Sequence, residues 1–169
     1  MSILTDIRTA VAGYANTNVT TTISTPVPDV PGTINPDEEF TFNITANNAG
    51  APDGIQLINV RYHLSVSGAG VQLIVPAEAL AVARAGSTDS FAQLTPGDLV
   101  ASMFLFPASL DGQTLGVGDS DSLNGLKGKA GSTTGSGTLS VHVHVDPDVD
   151  ALFPKERLNL SGTRAVNVV

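Results

Sequence analysis

Apolar and polar residues alternate most regularly across residues 35–50. Phe40, Phe42, Ile44 and Ala46 interleave with Thr41, Asn43, Thr45 and Asn47, a period of two that predicts a strand with one face on a core and one in water. Asn35-Pro36-Asp37-Glu38-Glu39 leads in with turn formers and charge, and Asn47-Asn48-Ala49-Gly50 closes with residues that tolerate positive φ. The pattern recurs far along the chain. Leu139, Val141, Val143 and Val145 alternate with Ser140, His142 and His144, then stop at Asp146-Pro147. Two such strands, distant in sequence, are what a sandwich of antiparallel sheets requires.

The chain before residue 33 follows another rule. Ile3, Leu4, Ile7, Ala10, Val11 and Tyr14 recur at spacings of three and four, which predicts a helix over residues 2–15 with Ser2 as N-cap and Gly13 and Asn16 as the stop. A helix of about 13 residues is marginal alone in water, so its stripe must dock on its own domain or on a neighbouring subunit. Val19, Thr21 and Ile23 then form one face of a threonine-rich edge strand. The prolines of 26–32 cannot donate ladder hydrogen bonds and predict an extended crossover. Residues 1–32 are therefore expected to be an assembly arm. Ile3, Leu4, Ile7, Val11 and Tyr14 are its helical contacts, and Val19, Thr21 and Ile23 its strand contacts. Residues 33–169 are expected to be the body.

Within the body, Val60, Tyr62, Leu64 and Val66 alternate with Arg61, His63 and Ser65, and Ser67-Gly68-Ala69-Gly70 is expected to turn the chain back through Val71, Leu73 and Val75 as a hairpin. Residues 76–86 are alanine-rich between a proline and a glycine, which predicts a short inserted helix. After a turn at Leu94-Thr95-Pro96-Gly97-Asp98, residues 99–106 read as one nearly continuous apolar strand, with Met103, Phe104, Leu105 and Phe106 as core candidates. Eight glycines between 111 and 137 predict a long loop or a glycine-broken hairpin. Residues 148–162 read as a connection, and 164–169 as a closing strand whose buried face the pattern leaves open. The expected fold is all-β: an immunoglobulin-like antiparallel β-sandwich of seven to nine strands, with a short N-terminal helix and one short inserted helix.

Composition narrows the chemistry. One domain of 169 residues buries roughly 70% of its extended surface and needs no staple. The absence of cysteine excludes disulfides, thiolate metal sites and cysteine nucleophiles. A net charge of −8 opposes a nucleic-acid partner. No run approaches the ~18 apolar residues of a membrane span, and the first residues carry no basic region followed by an apolar stretch. The expectation is a chain made in the cytoplasm outside the general secretion route, working in a virion or an extracellular assembly.

Several of these motifs carry a family likeness. The order from Asn35 through Glu38-Glu39 and the alternating strand to Asn47-Asn48-Ala49-Gly50 resembles the opening of bacterial immunoglobulin-like and fibronectin-III-like repeats, above all the cell-adhesion-related CARDB-type domain. Leu94-Thr95-Pro96-Gly97-Asp98 resembles their turn before a middle strand. Residues 138–145 followed by Asp146-Pro147-Asp148 resemble their late strand, and 165–169 their last one. The resemblance covers about 33–169 and implies a binding or spacer module without catalysis.

Reaction centres are harder to find. Residues 125–132 do not match a phosphate loop, and no serine sits in a nucleophile elbow. His142 and His144 stand two apart on a strand, which is ligand spacing for zinc, with His63 as a third ligand if its strand is adjacent; solvent-facing histidines are the simpler reading. Asp146, Asp148 and Asp150 at alternate positions, and Asp119 with Asp121, are oxygen-ligand candidates for calcium, against solvated turns capped by aspartate. No cofactor is expected, with calcium as the alternative. The chain reads as a non-enzymatic structural subunit that docks on copies of itself or on other subunits: a virion surface or decoration protein, or a filament subunit. The alternative is a recognition module that binds carbohydrate or a cell-surface protein through the loop at 111–137.

Overall fold

A computed structural model describes residues 3–29, 31–50, 54, 56–78, 80–84, 91–106, 114–147 and 158–169. The first element, α1 (Ile3–Asn18), runs three residues beyond the expected stop. Side chains of its last turn reach back one turn, Thr17 Oγ1 donating to Gly13 O at 2.9 Å and Asn18 Nδ2 to Tyr14 O at 3.1 Å, and the terminal Asn18 carbonyl accepts from the Ala49 N–H at 2.8 Å. Then come β1 (Val19–Ile23), β2 (Val27–Pro28), β3 (Glu39–Asn48), β4 (Leu57–Ser67), β5 (Gln72–Ile74) and β6 (Leu80–Arg84). They are followed by β7 (Phe91–Gln93), β8 (Leu99–Val100), β9 (Ser102–Phe106), β10 (Ser120–Lys129), β11 (Gly135–Pro147) and β12 (Leu158–Val168).

The strands form two antiparallel sheets. One runs β1-β3-β10-β5-β8, with β2 continuing the β1 edge along β3; the other runs β12-β11-β4-β9-β6-β7. The protein is an immunoglobulin-like β-sandwich. Among the described residues there are twelve strands where seven to nine were expected, and eight of the twelve are five residues or longer. The inner faces meet in a dry core. Phe40, Phe42, Ile44 and Leu73 come from the first sheet, and Tyr62, Leu64, Met103, Leu105, Leu139 and Val141 from the second. Each large apolar side chain buried there contributes about 1.5–3 kcal/mol, so β3 and β11 are held wherever their alternation points inward.

Five expectations are corrected. The alanine-rich run at 76–86 holds no inserted helix among its described residues: it contains β6, whose Leu80, Ala81 and Val82 pair with Phe106, Leu105 and Phe104. A free sheet edge offers a ladder that helix propensity, a weak prior, does not outweigh. The expected hairpin at 60–75 is an arch. Gly68, Ala69 and Gly70 all take positive φ and carry the chain from the second sheet to the first. The apolar run at 99–106 is likewise split, with β8 in one sheet and β9 in the other.

The described part of the glycine-rich window 111–137 holds a full strand and the start of another. β10 lies between β3 and β5, with a register shift between Leu123 and Leu126 where Gly125 has φ 68°. Gly128 stands opposite both Phe40 and Leu73. A Cβ there would come within 2.7 Å of the Phe40 ring, so glycine is what lets the ring fill the core. Finally, the closing strand begins at Leu158 and not at 164, with Val166 and Val168 buried.

One flank of the sandwich is sealed between β1 and β12. Arg164 Nε donates to Ile23 O at 3.0 Å, and a Cβ on Gly162 would sit 2.7 Å from Thr21 O. Across the core, the Tyr62 hydroxyl of β4 donates to the Asp121 carboxylate of β10, tying sheet to sheet. The open flank is left to the short strands β7 and β8.

Candidate functional site

The register of the second sheet assembles a row of side chains on its outer face. His142 of β11 lies opposite His63 of β4, His63 opposite Phe104 of β9, Phe104 opposite Val82 of β6, and Val82 opposite Gln93 of β7. At about 4.8 Å between neighbouring strands, this row crosses roughly 19 Å of sheet. The same strands send Val141, Tyr62, Leu64, Met103 and Leu105 inward, so alternation forces the others outward.

The rings touch one another. His63 stacks on Phe104 with centroids 4.2 Å apart and planes 9° apart. His63 and His142 have centroids 6.2 Å apart. Phe91 stands edge-on to Phe104 at 5.3 Å and to Phe106 at 6.2 Å. Phe91 is 40% exposed and His142 exposed, while His63, Phe104 and Phe106 are half-buried. Half-burial beside the Phe104 ring, and then the neighbouring His142, push His63 below the usual imidazole range. The face thus offers aromatic area and imidazole hydrogen-bonding groups together, the combination that binding surfaces favour.

The expected site residues are scattered. Ile3, Leu4 and Ile7 lie in α1, their side chains outside the described residues. Val11 is buried, and Tyr14 donates to Asn48 Oδ1 at 2.7 Å. The Tyr14 ring fills a slot that needs two glycines: a Cβ on Gly50 would fall 2.8 Å from Tyr14 Cζ, and one on Gly54 2.6 Å from its hydroxyl. Val19 and Ile23 are buried in the chain's own core, Thr21 lies between them, and all three pair with β3.

Asp119 closes a turn in which its N–H donates to Gly116 O at 3.1 Å, and Asp121 receives the Tyr62 hydroxyl. Asp146 is in β11, but its side chain, like all of Asp148 and Asp150, lies outside the described residues. Among the described residues no three histidine, aspartate or glutamate side chains group as metal ligands. His63 is adjacent to His142, as the metal reading required, while His144 lies two residues further on, opposite Arg61. Phe104 and Phe106 carried a signal that the core assignment concealed, and no reading singled out Phe91. The unbroken apolar run through Met103 and Phe106 marks a strand apolar on both faces, and only Met103 and Leu105 are core. Among the described residues no helix is long and apolar enough to cross a membrane.

No protein-family model matches the chain, and no curated protein matches it. Solved structures resemble it in fold. The CARDB domain of a Pyrococcus furiosus protein, solved with di-metal ions, is 13% identical, with a TM-score of 0.44 over 90% of this chain and 88% of that one. A cohesin module from a Clostridium perfringens family 33 glycoside hydrolase is 11% identical, with a TM-score of 0.47 over 89% and 96%. An Actinomyces fimbrial adhesin is 12% identical, with a TM-score of 0.41 over 88% of this chain and 55% of that one.

Proposed function

We propose that the chain is a non-catalytic structural module that docks on copies of itself or on other subunits of an assembly, as a virion surface or decoration subunit or a filament subunit does. The observation that supports this is the aromatic row of Phe91, Phe104 and Phe106 on the outer face of the second sheet. In this reading the docking surface is that face and not the N-terminal arm, because Val19 and Ile23 already fill the core and Asn48 already engages Tyr14. Removing residues 1–32 would open the core, so truncation is a poor test. Phe91→Ser is a better one, because Phe91 is exposed and makes little of the fold. Light scattering over a range of concentrations should show the full chain associating and Phe91→Ser remaining monomeric. Equal masses for the two at every concentration would remove self-association from the proposal.

A second reading is supported by the histidines at the end of the row. Ring faces beside imidazole hydrogen-bonding groups suit a sugar, whose C–H faces stack on aromatics while its hydroxyls need partners. This moves the recognition alternative from 111–137, whose described part holds β10 and the start of β11, to the same outer face. Chemical-shift changes at His63 and Phe104 on titration with glycans would support it; no shift with any glycan would leave the assembly reading alone.

A further inference from the structure

Asn124-Gly125 is the one Asn-Gly pair in the sequence, and it falls where β10 departs from its ladder. The register with β3 skips from Leu123 opposite Ile44 to Leu126 opposite Phe42, and pairing with β5 begins only at Lys127. Asn124 and Gly125 are left out of both ladders, and both are exposed. Gly125 takes φ 68°, with nothing beyond its chain neighbours within 4 Å of where a Cβ would stand. A side chain of the adjacent strand holds the bulge: the Gly125 N–H donates to Asn43 Oδ1 at 2.8 Å. Asn43 is itself fixed, its N–H donating to Ser24 Oγ at 2.9 Å and its carbonyl accepting from the Ser24 N–H at 2.9 Å.

We propose that Asn124 is a site of spontaneous deamidation and isoaspartate formation, and that Asn43 is the residue that holds the reaction back. The Gly125 nitrogen gives up its proton and bonds to Asn124 Cγ, and Asn124 Nδ2 takes up a proton and leaves as ammonia. The product is a cyclic succinimide, which water then opens. Breaking the nitrogen's bond to Cγ gives aspartate at position 124; breaking its bond to the main-chain carbonyl carbon gives isoaspartate, with an added carbon in the backbone. One water enters, one ammonia leaves, and nothing is oxidised or reduced. Glycine favours ring closure because no Cβ shields its nitrogen. An ordinary strand opposes it, because ladder bonds occupy the nitrogen. At this bulge the Asn43 side-chain carbonyl takes the ladder's place: while the N–H donates to it, the proton is retained and the nitrogen is turned from Cγ. A hydrogen bond of ordinary net strength corresponds to a slowing of roughly tenfold. The bulge also accommodates the product, because the added carbon lies between Leu123 and Leu126, where pairing is already interrupted. Deamidation therefore adds a negative charge to an exposed position of the first sheet and leaves the sheet standing.

Incubation of the full chain at mildly alkaline pH, followed by peptide mapping with mass spectrometry and by an isoaspartate assay, tests both the site and its guard. Asn124 should be the first asparagine to react, giving aspartate and isoaspartate, and should react roughly tenfold faster in Asn43→Ala. Asn43→Asp keeps an acceptor for the Gly125 N–H and should stay near the wild-type rate. Asn43 is exposed, so both variants leave the core as it is. In urea, where the contact is absent, all three chains should react alike at Asn124. Equal rates for folded wild type and folded Asn43→Ala would overturn the proposal. So would Asn43→Asp reacting as fast as Asn43→Ala, a difference that persists in urea, or another asparagine reacting before Asn124.

Discussion

Replacing Tyr62 by phenylalanine tests the tie between the sheets. The Tyr62 side chain is wholly buried, and its hydroxyl donates to Asp121 on the opposite sheet. Phenylalanine keeps the ring and its packing, so no cavity term enters. A hydrogen bond to a charged group contributes about 1.5–3 kcal/mol, and half-exposed Asp121 recovers part of this from water. The expected loss at neutral pH is thus about 1–2 kcal/mol, or roughly 2–8 °C in Tm for a domain of this size.

The pH dependence gives a second, independent reading. Burial first, and then the Asp121 carboxylate, push the Tyr62 hydroxyl well above its ordinary value of 10.0. The unfolded chain releases this proton above about pH 10 while the folded chain keeps it. The stability from the protonated phenol is therefore complete below that pH and falls above it by about 1.4 kcal/mol per unit. Tyr62→Phe should lack that component, so urea midpoints of wild type and variant, well separated at pH 7, should converge between pH 10 and 11.5. Coincident midpoints at pH 7 with parallel alkaline slopes would refute the tie.

Two further outcomes follow from the packing of small residues and of the helix. At Gly131 a Cβ would fall 2.7 Å from Gly70 Cα and overlap the Ala69 carbonyl, both backbone, so Gly131→Ala should cost about 2–3 kcal/mol by denaturant titration. Gly13→Ala, in an open helical position, should stabilise by about 0.5–1 kcal/mol. Asn48 is wholly buried; it accepts from Tyr14 and donates to Leu115 O at 3.3 Å. Asn48→Ala should cost about 2 kcal/mol, and limited proteolysis should then cut within α1 before the sandwich unfolds; uncut α1 would show that Tyr14 is not the helix anchor.

Local pattern suffices for those elements whose tertiary role agrees with it. Phe40, Phe42, Ile44 and Ala46 on β3, and Leu139, Val141 and Val143 on β11, are all buried, because strict alternation leaves a strand one way to lie on a core. It also determined the all-β class, the helix over most of α1 and the edge position of β1. The remaining elements took their form from long-range packing. Residues 80–84 became a strand because the edge of β9 was there to pair with. Strand β10 was invisible because its core positions include Gly128, bare so that the ring of Phe40 has room, and a glycine adds nothing to a hydrophobic period. The candidate face was half legible: the spacing of His142 and His144 could be read directly. That His63 stands opposite His142, and Phe104 opposite His63, depends on pairing between strands dozens of residues apart. Such a register is set by the packing of both sheets at once, and no local period encodes it.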